Sequence, residues 1–230
     1  MIRRFRFVMV PVLALLLAGC SGKAGTPAVQ NTGVDEAARL AAENAHADSV
    51  ITALRGLATA DAGSSLAAAS ALGSWIDDVR KQDSSFSPES LLWLPERRLT
   101  PDPGMKLTAT FIDTLQNGSF GFVLGPDGRL AVDPQFRRFF EDDSAHVSIM
   151  ADPMITVYDF PSHRRHVIDT GSAVAGDVWQ SVAWLDARRL AVGGMIQLGT
   201  LKAPTVRIYD LGRSSVREGL APVIRTSGTP

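Results

Sequence analysis

One ten-residue pattern occurs twice, and it commits the C-terminal part of the chain to a repeated, strand-rich architecture. Ser90-Leu91-Leu92-Trp93-Leu94-Pro95-Glu96-Arg97-Arg98-Leu99 and Ser181-Val182-Ala183-Trp184-Leu185-Asp186-Ala187-Arg188-Arg189-Leu190 share the form Ser-x-x-Trp-Leu-x-x-Arg-Arg-Leu. A looser copy lies between them, Phe122-Val123-Leu124-Gly125-Pro126-Asp127-Gly128-Arg129-Leu130-Ala131-Val132. Its Pro-Asp-Gly signals a turn, because proline presets φ and glycine closes the bend. Each copy is followed by a strand-like element carrying an aspartate near its end: Thr110-Phe111-Ile112-Asp113, Thr156-Val157-Tyr158-Asp159-Phe160 and Val206-Arg207-Ile208-Tyr209-Asp210-Leu211. Three such units fill 90–225, at about 45 residues each.

The stretches at 155–171 and 205–219 resemble the hairpins of WD40 or YVTN-type β-propeller blades, as do Gly125–Val132 and Leu185–Gly194. The resemblance implies four-stranded antiparallel units arranged radially. The Gly-His and Trp-Asp signatures of the family are missing, and three units are too few to close a ring of about four to eight blades. An unclosed array exposes strand edges, which need a covering element, charge or a partner. The N-terminal helices or further copies of the chain are the candidates. Generic antiparallel hairpins of an open meander or sandwich fit the same pattern.

Before the strands the chain is alanine-rich. Ala37, Leu40, Asn44, Ala47, Ile51 and Leu54 recur at alternating spacings of three and four, and Leu66, Ala69, Leu72, Trp75, Ile76 and Val79 continue the period after Gly56 and Gly63. This predicts a helical hairpin over 34–83, closed by the polar run at 81–85. The first stripe is read as an amphipathic helix packed on its own domain, with a short coiled coil registered by Asn44 as the alternative. The fold class expected is thus α+β: a helical hairpin, then an antiparallel all-β domain over 84–218 in the form of a partial propeller or open meander, then a disordered tail at 219–230.

The first twenty residues carry a different signal. Arg3, Arg4 and Arg6 precede an apolar run from Val8 to Ala18, the layout of an export signal and too short for the ~20 residues that span a bilayer. The run ends in Leu17-Ala18-Gly19-Cys20, which resembles the lipobox of bacterial lipoproteins. The resemblance implies a signal peptide at 1–19, cleavage between Gly19 and Cys20, and acylation of Cys20 as the membrane anchor. Several acyl chains hold stably where one does not. Cys20 is the single cysteine, so no disulfide framework exists. An aspartate after the cysteine retains enterobacterial lipoproteins at the inner membrane, so with Ser21 there the resemblance implies the outer membrane, on its periplasmic face. Arg6 stands where a twin-arginine signal wants an apolar residue, which favours Sec export. Residues 20–33 form a small, polar, Gly/Pro-punctuated tether.

Without residues 1–19, Lys+Arg falls from 23 to 20 against 24 Asp+Glu. A mildly acidic chain has no general attraction for nucleic acid. The expected partners are the membrane, through the lipid, and an envelope protein, with homo-oligomerisation a further option.

Few residues invite chemistry. Val167-Ile168-Asp169-Thr170-Gly171-Ser172 resembles the Asp-Thr-Gly signature of aspartic peptidases, where two such aspartates share a proton. One motif per chain would require a homodimer, and only 59 residues follow Gly171. The competing reading is a strand running into a turn. His163 and His166 fall on opposite faces of a strand and cannot chelate one metal there. Glu141, Asp142 and Asp143 lack the alternating ligand spacing of a calcium loop. Phe136, Phe139, Phe140, Met150 and Met154 are read as core rather than as a contact surface. No cofactor, metal or catalytic set is expected, and the function expected is that of a non-enzymatic binding or scaffold component of the bacterial envelope. The alternative is a homodimeric hydrolase using Asp169.

Overall fold

The computed structural model describes residues 32–59, 63–100, 102–141, 147–151, 154–170, 178–198 and 201–221. The chain divides into two compact units, Met1–Ala38 and Arg39–Pro230; the described part of the first is the opening of helix α1. The fold is α+β, with helices first and open antiparallel sheets after them.

Helices α1 (Thr32–Leu57), α2 (Gly63–Ser70) and α3 (Gly73–Gln82) replace the expected pair. The second apolar run breaks at Ala71 and Leu72, and α3 begins at Gly73. Leu72, Trp75, Ile76 and Val79 are buried as the period requires. In α1 no described side chain is buried, and Leu40 is 44% exposed. Along the stripe Leu40 is exposed, while Asn44, Ile51 and Leu54 are half-buried. Alanines distributed all round α1 leave it no single apolar face.

The strands are β1 (Leu92–Trp93), β2 (Arg97–Arg98), β3 (Met105–Lys106), β4 (Val123–Leu124), β5 (Leu130–Val132), β6 (Arg137–Glu141), β7 (Val147–Ala151), β8 (Met154–Asp159), β9 (Arg164–Thr170), β10 (Val178–Trp184), β11 (Arg189–Leu198), β12 (Leu201–Asp210) and β13 (Ser215–Leu220), with helix α4 (Ala109–Asn117) between β3 and β4. One sheet has the order β3-β9-β8-β5-β4; the other runs β1-β13-β12-β11-β10, with β2 also on β13; β6 and β7 form a separate hairpin. The sequence copies thus distribute over two multi-stranded sheets. The first copy supplies edge strands to the last sheet rather than a sheet of its own.

Two aligned residues explain that difference. Asp186 accepts hydrogen bonds from the Arg188 and Arg189 amides, both at 2.8 Å, and ties the β10–β11 turn. Pro95 holds the equivalent place in the first copy. It has no carboxylate to close a turn, so the chain continues along β13, pairing Trp93 with Gly219 and Arg97 with Val216.

Both sheets use the same hairpin turn. Asp159 and Asp210 each accept from a backbone amide three residues on, Ser162 at 3.3 Å and Arg213 at 2.9 Å. The fourth residue after each aspartate, His163 and Ser214, has a φ of 51°. Their carbonyls receive Leu107 and Leu99 amides, each at 2.8 Å. On this backbone equivalence Tyr158 corresponds to Tyr209. Yet Tyr158 packs beneath α4 with Phe111 and Phe139, whereas Tyr209 packs between the sheets with Val132 and Val157. The two sheets are therefore stacked front to back.

Four layers result. Trp75, Val79 and Phe86 cover one face of the β10–β13 sheet, the two sheets share a core of Val157, Trp179, Leu190 and Val216, and α4 with the β6–β7 hairpin covers the far face of the other sheet. Helices α2 and α3 pack on a sheet face, and just beyond α1 the Thr59 amide donates to the carbonyl of Trp93, in edge strand β1, at 2.9 Å.

The expected strand at Thr110-Phe111-Ile112-Asp113 is the first half of α4. The Thr108 side chain accepts from the Phe111 amide at 3.1 Å, an N-cap that starts a helix, and Phe111, Ile112 and Leu115 bury one helical face. Strand β13 runs through Gly219 and Leu220, past the expected start of the tail, and Ala221 is buried.

Candidate functional site

Two clefts flank strand β9. The first, of about 310 Å³, opens at the end of the inter-sheet core, where the chain crosses from β2 to β3; Asp102, Asp159, His166 and Ser214 stand over a floor that includes Leu130 and Ile168. That volume is at the small end of ligand pockets.

Its polar groups are engaged in shaping the backbone. Asp102 accepts from the Val167 amide at 2.6 Å and the Gly104 amide at 3.1 Å. Burial works against its ionisation, but these two bonds and the fields of His166 and Arg165 outweigh it and hold the carboxyl below the ordinary 3.8. His166 Nδ1 lies 3.3 Å from the Asp102 carbonyl. A carbonyl only accepts, so Nδ1 is the donor in this contact. Gly104, at φ 76°, allows this approach, since a Cβ there would collide with the imidazole. Aspartate, histidine and serine share this cleft without forming a relay: the carboxylate bonds backbone amides and the imidazole bonds a carbonyl.

The second cleft, of about 450 Å³, lies on the other side of β9, beside the first turn of α4, and is lined by Met105, Lys106, Thr108, His163 and Arg165 among others. Arg165 is 6% exposed and donates from Nη1 to the Phe139 carbonyl at 2.8 Å and from Nη2 to Met105 Sδ at 3.0 Å. His163 and His166 therefore line separate clefts.

Gly19, Cys20, Asp142, Asp143, Gly171 and Ser172 lie outside the described residues. Asp169 is in β9, paired with Ile155 next to a bulge, and Thr170 ends that strand opposite Met154. Glu141 ends β6, paired with Val147 of β7. Phe136 and Phe139 are buried and Met154 is half-buried, in line with the core reading; the Phe140 and Met150 side chains are outside the description. Among the described residues no three His, Cys, Asp or Glu side chains gather as a metal site, and no helix is long and apolar enough to cross a membrane. Sequence reasoning missed Asp102, Lys106 and Arg165. Comparison with protein-family models, curated proteins and solved structures finds no match for this chain.

Proposed function

We propose that the chain is a lipid-anchored component of the bacterial envelope, attached through Cys20, whose folded part serves as a non-enzymatic binding or scaffold body. The observation that carries this reading is the placement of Leu17-Ala18-Gly19-Cys20 at the end of an apolar run that follows three arginines. Ser21 favours the outer membrane. The polar groups of the first cleft support a structural and binding role, since the Asp102 and Asp159 carboxylates accept from backbone amides. Among the described residues strand β10 pairs with β11 alone, and an edge of this kind can take up a strand from a partner.

Membrane fractionation tests the anchor. The wild-type chain stays in the membrane pellet through a high-salt wash, and Cys20→Ser appears in the soluble fraction. Equal retention of both would overturn the anchor. Peptide hydrolysis by the wild type that is lost in a folded Asp169→Asn variant would replace the binding reading with the hydrolase.

A further inference from the structure

We infer that the cleft at the end of the inter-sheet core is a binding site for a small organic cation, an amine carried on a short apolar stem. Strand register brings one wall together. Leu130 is directly paired with Asp159, and Val157 with His166, and paired residues share a face. Val157 belongs to the core between the sheets, with Leu130 and Ile168 packed against it, so this face is the one turned toward the other sheet. From that sheet the end of the β12–β13 hairpin adds Leu211 and Ser214, and the crossing chain adds Leu99. The floor is apolar on both sides, and a volume of about 310 Å³ suits a small molecule.

The charge of the lining has one sign. Asp102 and Asp159 line the cleft, and no lysine or arginine does. Arg164 stands opposite Asp159 across β8 and β9, but its guanidinium donates to the Pro103 carbonyl at 3.0 Å. His166 is the remaining titratable side chain of the lining, with Nδ1 turned to the Asp102 carbonyl. Two carboxylates at the rim of an apolar floor attract a cation and repel an anion. Acceptors are also at hand. Asp159 commits Oδ1 to the Ser162 amide at 3.3 Å, while among the described residues its Oδ2 and the Ser214 hydroxyl make no hydrogen bond. Both residues are half-buried. An ammonium donates up to three hydrogen bonds, and a bond to a carboxylate is about twice as strong as a neutral one.

The inference rests on the reading of the folded part as a binding body and gives that body a ligand class; Cys20 takes no part in it. The test titrates the full chain, in nonionic detergent at about pH 7, with hexylamine, which is a cation there, and in parallel with hexanol and hexanoate, followed by amide NMR. Saturable shifts at Leu130, Val167 and Ser214 are expected with hexylamine, and an affinity at least about tenfold lower for hexanol and hexanoate. Asp159→Asn keeps the Oδ1 acceptor that holds the turn and removes the charge, and is expected to weaken hexylamine about five- to tenfold. No saturation by hexylamine, equal saturation by hexanol or hexanoate, or an affinity that Asp159→Asn leaves unchanged overturns the site. Each of these outcomes leaves the Cys20 fractionation and the Asp169→Asn hydrolysis results as they stand, so failure of the site is distinct from failure of the anchored binding reading.

Discussion

The Asp133 carboxylate grips the Arg137 guanidinium with both oxygens, Oδ2 receiving Nε at 2.8 Å and Oδ1 receiving Nη2 at 2.9 Å. It also accepts the Arg137 amide at 2.7 Å. Between the two sits Phe136, buried at a φ of 53°, a backbone state that costs about 1–3 kcal/mol for such a residue. The carboxylate fixes the turn through which Phe136 enters the inter-sheet core and Phe139 the layer beneath α4.

Asp133→Ala leaves a part-buried guanidinium without its partner and releases the strained turn. We expect a loss of about 3–5 kcal/mol, read by urea denaturation. Arg137→Lys also destabilises, since an ammonium cannot reproduce the two-pronged contact. A loss below 1 kcal/mol for Asp133→Ala, well under that estimate, would show that the turn holds by packing alone.

Ser214 occupies the left-handed region at φ 51°. That conformation costs a non-glycine residue about 1–2 kcal/mol, and the entropy of a glycine in the unfolded chain offsets up to about 1 kcal/mol of the relief. Ser214→Gly is expected to stabilise by about 0.5–1 kcal/mol in thermal unfolding, and Ser214→Val to destabilise, as a β-branched side chain tolerates positive φ poorly.

Asp186 gives the β10–β11 turn a pH dependence. The Arg188 amide, then the Arg189 side chain, lower its carboxyl below the ordinary 3.8. Its folded value is the lower one, so its stabilisation is present above about pH 4 and is lost as the pH falls through the folded value. Asp186→Asn should flatten that part of the stability curve between pH 5 and pH 2, roughly the window in which a lowered carboxyl titrates. An unchanged curve would remove Asp186 from the acid response.

Gly193 lies flat under the Trp75 ring, where a Cβ would come within 2.7 Å of Cγ. Gly193→Ala forces Trp75 out of its buried position and should cost about 1–3 kcal/mol, with a red-shifted tryptophan emission. Unaltered emission would show that the helix layer shifts as a whole.

Parts of this fold are legible in the sequence because the deciding chemistry is local. Pro126-Asp127-Gly128 forms its turn with Gly128 at φ 69° and Asp127 accepting the Arg129 amide. The period through Leu72 and Val79 places α3 on the sheet. Where strand propensity and helix capping competed, at Thr108–Asp113, the β-branched residues pointed one way and the Thr108 cap decided the other. The repeated pattern hid its own divergence: Pro95 and Asp186 differ at one aligned position, and one copy is an edge while the other is a hairpin. Tyr158 and Tyr209 precede equivalent turns yet serve different cores, which depends on sheet stacking. The clefts were illegible for a related reason. Met105 meets Arg165, and Asp102 meets Val167, only through the pairing of β3 with β9 and the crossing beside it, and no spacing along the chain encodes that.

Attachment through Cys20 is decided by the mass of the N-terminal peptide from membrane-extracted protein. A peptide beginning at Cys20, heavier than its sequence by a set of acyl chains and absent from Cys20→Ser, is the predicted result. A peptide that retains residues 1–19, or one that carries Cys20 as a free thiol, would contradict it.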